Sequence, residues 1–359
     1  MKDYSKKNIL LVFLLIVLLF GSAVYLYIFL QKETKHQNTF TSRHTTCLGG
    51  NEYVDYKIEK SPLGGGVVQI FIKDKDTNQE KFSFQTENII ESYHPMELHK
   101  CAIYVIKEFN FDEKKHKPLP GYSVELWRYQ YNDNGEGEKI LAIAGEDNSG
   151  NFIVYYSYDF RIDPLERYLT LMKGYLGSSD YGIVIKGLKT LNDIFVLEMT
   201  EIERQHPEIV GNISFITGVG NIKYNGWSDG GRYFWVDTHY GAVRLGFIRI
   251  DTTNWKYEIF PAPQDVLGGD TLNVENGYIT VHPGNVWIGI AEINEEEKER
   301  RRKEGIGTEL YIENLITKER HFVDKTDEPL WYFKPKWLSD TELEYELPTG
   351  EKKIYKINE

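Results

Sequence analysis

The hydrophobic pattern divides the chain into one long apolar run near its start and many short apolar segments that alternate with polar residues. Residues 9–30 contain 22 consecutive positions without a charge, which exceeds the roughly 20 residues that a helix needs to cross a bilayer. A cleaved signal peptide is the alternative, but its apolar region is shorter, about 7–15 residues. The pattern therefore favours an uncleaved transmembrane helix over residues 9–30.

Charges beside this run predict its orientation. Lys2, Lys6 and Lys7 precede it, and Asp3 is the one acidic residue on that side. Positive charge concentrates on the cytoplasmic side of membrane spans. We therefore expect residues 1–8 in the cytoplasm, residues 31–48 as a linker and residues 49–359 as an extracytoplasmic domain.

The only two cysteines, Cys47 and Cys101, both fall on the predicted extracytoplasmic side. Disulfides form and persist in oxidising compartments of that kind. The sequence predicts a Cys47–Cys101 disulfide, with two unpaired buried thiols as the alternative.

A unit made of a polar turn, an aromatic-rich strand and a hairpin recurs along the rest of the chain. The turn and its strand occur at 163–171, 228–236, 282–290 and 339–347, and hairpins follow at 182–197, 247–260 and 310–323. The 25 Tyr, 18 Phe and 7 Trp also favour strands. Four-stranded units bury both faces when they stack around an axis. The sequence thus predicts an all-β fold, a β-propeller of five to six four-stranded blades preceded by the transmembrane helix.

The last predicted unit is one strand short. Residues 52–58 and 67–72 are strand-like and belong to no unit. We expect one of them to supply the missing outer strand, because this would close the ring and remove an open sheet edge.

One copy of the unit carries a family resemblance. Residues 227–234 read Trp-Ser-Asp-Gly-Gly-Arg-Tyr-Phe and precede an Ile-x-Ile-Asp strand, and Ser339-Asp340 begins the next best copy. This resembles the Trp-Ser-Pro-Asp-Gly-Lys repeat of TolB-like and dipeptidyl-peptidase-IV-like (WD40-like) propellers, although no copy keeps the full Pro-Asp-Gly. The resemblance implies the fold and says nothing of activity. Trp227 and Trp337 each precede a turn and are expected to fill gaps between neighbouring sheets.

Connection lengths predict which face carries function. The first turn and the hairpin turn of each unit are short, whereas the other connections are long: 108–121, 172–181, 200–212, 237–244, 262–275 and 291–308. In an antiparallel meander the two sets leave from opposite faces. Loops on a rigid scaffold are where binding commonly resides, and loops without a function are the alternative.

Two of these connections have helical patterns. Residues 291–308 place acids before bases at i,i+4 in the pairs Glu296–Arg300, Glu297–Arg301 and Glu299–Lys303, which supports a solvated helix. Residues 200–207 predict a second short helix that ends before Pro207.

The candidate binding residues are polar and aromatic side chains of the long connections, a composition typical of recognition surfaces. We expect them to form a rim on the long-connection face; they are Tyr175, Asp180, Tyr181, Asp237, His239 and Tyr240. No catalytic residue, metal ligand or cofactor is predicted. His94 and His99 lack zinc-site spacing, and residues 74–78 suit a hairpin turn better than a calcium loop.

The net charge of −12 disfavours non-specific binding to nucleic acid. The function that the sequence favours is a membrane-anchored extracytoplasmic module that binds or scaffolds an envelope protein or glycan. The alternative is a glycan-active or other hydrolytic propeller that uses carboxylates in its central funnel. Asp180, Asp237, Asp265 and Asp270 are the carboxylates in question.

Overall fold

The computed structural model describes a β-sheet domain. The described residues are 52–59, 67–87, 96–99, 101–112, 117–131, 137–146, 152–173, 182–207, 220–240, 243–263, 266, 270–284 and 291–357. The chain divides into two compact units, residues 1–46 and 47–359, and every described residue belongs to the second. The predicted segments 1–8, 9–30 and 31–48 lie outside the described residues. No helix within the described part is long and apolar enough to cross a membrane.

The strands form six antiparallel sheets that follow one another in chain order. Sheet 1 contains β1 (Glu52–Glu59), β2 (Val67–Asp74) and β3 (Glu80–Glu87). Sheet 2 contains β4 (Met96–Leu98), β5 (Ala102–Asp112), β6 (Lys117–Gln130), β7 (Gly137–Glu146) and β8 (Phe152–Val154). Sheet 3 contains β9 (Tyr156–Ile162), β10 (Tyr168–Lys173), β11 (Gly182–Gly187) and β12 (Asp193–Glu198).

Sheets 4 to 6 continue the series. Sheet 4 contains β13 (Gly220–Ser228), β14 (Tyr233–Tyr240), β15 (Val243–Asp251) and β16 (Lys256–Pro261). Sheet 5 contains β17 (Tyr278–Val281), β18 (Thr308–Asn314) and β19 (Arg320–Thr326). Sheet 6 contains β20 (Lys336–Trp337), β21 (Glu342–Glu346) and β22 (Lys352–Lys356). A bridge between Leu272 and Ile279 adds an inner segment to sheet 5.

Each sheet packs face to face on the next through its own apolar core. Strand β14 shows why both faces are apolar, because successive side chains point to opposite sides of a sheet. Phe234 lies in the core between sheets 3 and 4, and Trp235 lies in the core between sheets 4 and 5. Six successive meanders stacked in this way have the arrangement of a β-propeller. The predicted all-β propeller fold is confirmed, and the number of blades in a closed ring remains a prediction.

The five cores are built from buried residues of both neighbouring sheets. Representative pairs, in chain order of the sheets, are Ile72 and Val105, Tyr104 and Leu171, Ile185 and Phe234, Trp235 and Ile279, and Leu310 and Tyr345.

Trp227 and Trp337 join neighbouring sheets as predicted. The Trp227 ring stacks on Tyr168 of sheet 3 with centroids 6.2 Å apart. Trp337 Nε1 donates a hydrogen bond of 3.1 Å to the carbonyl oxygen of Thr271 in sheet 5. Both indoles therefore cross from one repeat unit to the unit before it.

The strands near residue 50 do not complete the last sheet, so that prediction is wrong. β1 pairs with β2 and β2 with β3, and none of them pairs with β20–β22 among the described residues. The short turn of residues 75–79 favours local pairing, because closing a short loop costs less entropy than a long one. Asp74 Oδ1 accepts hydrogen bonds from the backbone of Asp76 and Thr77 in this turn.

The repeat copy expected at 282–290 begins one strand earlier. Its turn covers residues 274–276 and its strand is β17, whereas residues 285–290 lie outside the described residues. Here Asn273 Oδ1 accepts a hydrogen bond from the Glu275 amide, and Gly277 adopts φ 75°. Asparagine and glycine make this turn without the Ser-Asp pair that marks the copies at 228 and 339.

Two of the predicted long connections are mostly strand. β14 continues to Tyr240 and β15 begins at Val243, and Tyr240 pairs with Val243, so most of 237–244 is strand. β5 and β6 likewise extend through most of 108–121. The polar and apolar alternation continues through these segments, and the ladder follows it.

Both predicted helices are present, as α1 (Met199–Gln205) and α2 (Ala291–Glu304). Within α2, Glu297 pairs with Arg301 at 2.8 Å as expected, but Arg300 pairs with Glu297 and Glu304 instead of Glu296. The helix ends at Glu304, and the next residue, Gly305, has a φ of 69° that suits glycine.

Cys101 directly precedes β5, is half-buried and is disulfide-bonded. Cys47 lies outside the described residues. Its pairing with Cys101 therefore remains a prediction.

We expect Phe234→Ala to lower the free energy of unfolding by about 3–5 kcal/mol, because it opens a cavity in the core between sheets 3 and 4. Phe322→Ala on β19 is the matched control, since that ring is 47% exposed. Urea denaturation measures both. Equal losses in the two variants would contradict the packing described above.

Candidate functional site

The long-connection face is defined by strand direction. In sheet 4 the β13–β14 turn at residues 229–232 lies at one face, so the end of β14 and the start of β15 lie at the opposite face. In sheet 5 the short β18–β19 turn and helix α2 leave from opposite ends of β18. Helix α2, the tip of the β14–β15 hairpin and the end of β17 all lie at this long-connection face.

Asp237 and His239 come together here, beneath the surface. They are 1% and 2% exposed, and His239 Nε2 lies 2.8 Å from Asp237 Oδ2. The sequence analysis expected both on an exposed rim. Because β14 continues past them, they share the strand face of Trp235, which is directed at sheet 5.

Arg244 links this pair to the next sheet. Its Nε donates to Asp237 Oδ2 at 2.8 Å, and its Nη1 donates to the Asp270 carbonyl oxygen at 2.7 Å. Asp270 Oδ1 accepts a 2.8 Å hydrogen bond from Thr280 Oγ1 and lies 2.8 Å from His282 Nδ1. These side chains form a buried charge network between sheets 4 and 5.

The network places the Arg244 guanidinium between the Asp237 carboxylate and the Asp270 carbonyl oxygen, where water scarcely reaches. Asp270 is 3% exposed, Arg244 8% and His282 0%. Removing one partner from a buried ion pair leaves an uncompensated charge, which is strongly destabilising. The network therefore holds the two sheets together, and neither carboxylate is open to a substrate.

Tyr332 lies beside the network, with its ring centroid 5.3 Å from that of His282. Burial raises the pKa of its phenol, the Asp270 carboxylate acts in the same direction, and Arg244 opposes them. The phenol therefore stays protonated in the folded protein at alkaline pH.

The other predicted site residues are placed as follows. Tyr175, Asp180 and Tyr181 lie outside the described residues, as does Asp265, and the side chain of Tyr240 is not described. Their binding roles stay predictions. Among the residues that the structure does describe, no three His, Cys, Asp or Glu side chains are arranged to hold a metal ion.

Sequence reasoning missed Arg244 and His282. Both stand beside strand ends, and their partners lie on a neighbouring strand or sheet. The sequence does place a basic residue, Arg244, seven positions after Asp237, and this proximity could have indicated the pair. Nothing in the sequence pairs His282 with Asp270.

A cleft of about 450 Å³ opens beside helix α2 on the same face. Arg300 and Arg301 form one wall, and Lys325 and Asp327 at the end of β19 form another. Arg301 is 8% exposed and is held by Glu297 and by the Gly284 carbonyl oxygen. The buried Arg301 side chain therefore attaches helix α2 to the segment after β17 through the Gly284 carbonyl oxygen.

No family model matches the chain, and no curated protein matches it. Among solved structures it is similar to the β-propeller domain of the Trilobed protease from Pyrococcus furiosus, described as having an open velcro topology, at 11% identity and a TM-score of 0.46, over 86% of this chain and 78% of that one. It is also similar to TolB from Acinetobacter baumannii at 11% identity and a TM-score of 0.28, over 85% and 79% of the two chains.

A third similar structure is an oligogalacturonate lyase in complex with manganese, at 10% identity and a TM-score of 0.39, over 86% of this chain and 97% of that chain. Similarities of this size carry no argument about activity, and the fold assignment rests on the six stacked sheets.

We expect Asp237→Asn to lower the free energy of unfolding by about 3–5 kcal/mol, because Arg244 keeps its buried charge without a counter-charge. Adding Arg244→Met should recover part of the loss. The control is Asp55→Asn, which removes an exposed ion pair with Lys73 and should cause no measurable change. If Asp237→Asn matches the control in urea denaturation, the network does not stabilise the fold.

We expect Tyr332→Phe to reduce the loss of stability at alkaline pH. Above pH of about 10 the phenol ionises in the unfolded chain but not in the folded one. The wild-type unfolding free energy therefore falls by up to about 1.4 kcal/mol per pH unit from this group. Unfolding measured from pH 8 to pH 11 should show a shallower slope for the variant. Parallel slopes would contradict the assigned burial of the phenol.

Proposed function

We propose that this chain is a membrane-anchored, extracytoplasmic β-propeller that binds or scaffolds a protein or glycan of the cell envelope. The uncharged run at 9–30 and the lysines before it support the anchor and its orientation. The long-connection face is the proposed binding surface.

The buried charge network is the observation that favours a binding function over a hydrolytic one. Asp237 and Asp270 were two of the four carboxylates considered for hydrolysis, and both are engaged inside the domain. Glycoside hydrolysis needs two carboxyl groups that flank a bound sugar, about 5–10 Å apart. Asp237 and Asp270 instead belong to the contacts between sheets 4 and 5, which support the long-connection face.

Helix α2 supplies the exposed part of that surface. Glu296 and Lys303 are exposed on it, and the cleft beside it has a size typical of ligand sites, about 300–1,000 Å³. Its mixed charge suits a polar partner better than an apolar one. Because Arg301 and its bond to the Gly284 carbonyl oxygen hold the helix in place, little ordering is needed when a partner binds.

A photo-crosslinking residue at Lys303 tests this function in cells that express the full chain. We expect it to form a discrete adduct with one envelope component, because Lys303 is exposed on the long-connection face. The matched control is the same substitution at Lys189, which is exposed in the short β11–β12 turn on the other face. Identical adducts from both positions, or none from Lys303, would contradict the proposal.

The anchor has a separate test. The full chain should stay in the membrane fraction after alkaline carbonate extraction, and an impermeant amine-reactive biotin reagent should label it in intact cells. A chain that lacks residues 9–30 should lose the membrane association. Extraction of the full chain by carbonate, or its protection from the reagent, would contradict the proposed location.

A further inference from the structure

We propose that the cleft beside helix α2 binds a small zwitterion of the amino-acid class, either free or as a short peptide. The ligand carboxylate would contact Arg301 and Lys325, and its ammonium group would contact Asp327. The inference rests on the proposed function, because this cleft belongs to the proposed binding surface.

The cleft is a recess between the end of helix α2 and the open end of the β18–β19 hairpin. Its volume is about 450 Å³. A Cβ atom added at Gly284 or Gly305 would meet no atom within 4 Å, whereas one added at Gly307 would overlap the Thr326 carbonyl oxygen. The cleft is therefore open beside Gly284 and Gly305 and closed beside Gly307, where the two strands meet.

Polar contacts fix the walls of the cleft. Arg301 Nη2 donates to the Gly284 carbonyl oxygen, and Arg302 Nη2 lies 2.7 Å from Glu328 Oε1. Thr308 is 2% exposed, and its hydroxyl donates to the Glu328 carbonyl oxygen at 2.9 Å. A recess that is already formed needs little ordering when a ligand enters.

Arg301 provides a buried positive group with one nitrogen left for a ligand. Its Nε donates to Glu297 at 2.8 Å and its Nη2 to Gly284, whereas its Nη1 donates to none of the described residues. The side chain lines the cleft, and Nη1 is not sealed from solvent. A guanidinium nitrogen in this position suits a carboxylate, because hydrogen bonds between charged groups are the strong ones.

Lys325 supplies a second positive group on the opposite wall. It is exposed and makes no ion pair within the described part of the chain. Glu309 lies directly across from it on β18, but Glu309 accepts the Tyr311 hydroxyl at 2.9 Å instead. The Lys325 ammonium group is therefore available to a ligand.

The same cleft also offers a place for a positive group. Asp327 is exposed, and no described cation pairs with its carboxylate. Helix α2 ends at Glu304, and Gly305, the next residue, lines the cleft. The carboxyl end of a helix favours positive charge, so it acts in the same direction as Asp327.

These two sets of charges favour a ligand that carries both signs. An anion alone would place its charge beside Asp327, and a cation alone would place its charge beside Lys325 and Arg301. Contacts between like charges oppose binding. Ile306 also lines the cleft and is 42% exposed, so an amino acid with an apolar side chain, such as leucine, is a suitable probe.

Calorimetric titration of the purified full chain in detergent tests the inference with three probes, namely leucine, leucinamide and N-acetylleucine. Leucinamide lacks the carboxylate, and N-acetylleucine lacks the ammonium group. We expect leucine to bind and each blocked form to bind about tenfold more weakly, because each loses a hydrogen bond between charged groups. Leucylleucine is the fourth probe: tighter binding than leucine would indicate a peptide ligand, and weaker binding a free amino acid.

Two variants assign the charges. Lys325→Gln should reduce the preference for leucine over leucinamide about threefold and leave the preference over N-acetylleucine unchanged, whereas Asp327→Asn should do the reverse. Lys318→Gln is the matched control, because Lys318 is exposed in the short β18–β19 turn at the other end of the same hairpin. This variant should leave both preferences within about twofold of the wild type.

The inference is overturned if neither leucine nor leucylleucine binds, or if Lys325→Gln and Asp327→Asn leave both preferences unchanged. Its failure can be told apart from failure of the proposed function. A discrete adduct from Lys303 without binding of any probe would overturn the zwitterion site alone. Binding of leucine with the expected variant pattern, but without an adduct, would support the site and contradict the envelope partner.

Discussion

Burial of both faces of each inner sheet is the constraint on which the rest of the structure depends. A four-stranded meander presents one apolar surface to the sheet before it and another to the sheet after it, so no single unit is stable alone. Strand β14 illustrates this with Phe234 and Trp235 directed into different cores. The same alternation places Asp237 and His239 in the interface between sheets 4 and 5. The buried charge network is thus a polar extension of an apolar interface.

Local chemistry explains how much of the fold could be predicted. Turn residues and alternation in short windows indicated the sheet 3 and sheet 4 strands and both helices, because their pairing is between neighbours in the chain. Prediction was wrong where two local readings compete. The 282–290 copy was placed one strand late because His-Pro-Gly-Asn at 282–285 has the composition of a turn, as residues 273–277 also do. β1 and β2 were assigned to the wrong sheet because strand patterns do not specify partners.

The candidate site was less predictable, for a physical reason. Asp237 and His239 belong to one strand and could be proposed together, but the charge that neutralises Asp237 comes from Arg244 on the next strand, and the contact to Asp270 crosses to another sheet. Whether a carboxylate near a loop is exposed or buried depends on where its strand ends. The end of a strand depends on its pairing with other strands and not on its own residues alone. Here the position of that end decides whether Asp237 lies at the surface or inside the domain.

Among the described strands β22 pairs with β21 alone, and its other edge has a consequence for behaviour in concentrated solution. Lys352 and Lys356 occupy positions whose backbone groups point away from β21, on either side of the exposed Ile354. An incoming strand from another molecule would have to strip water from both ammonium groups to reach that backbone. The two lysines beside this edge of β22 therefore disfavour strand pairing between molecules.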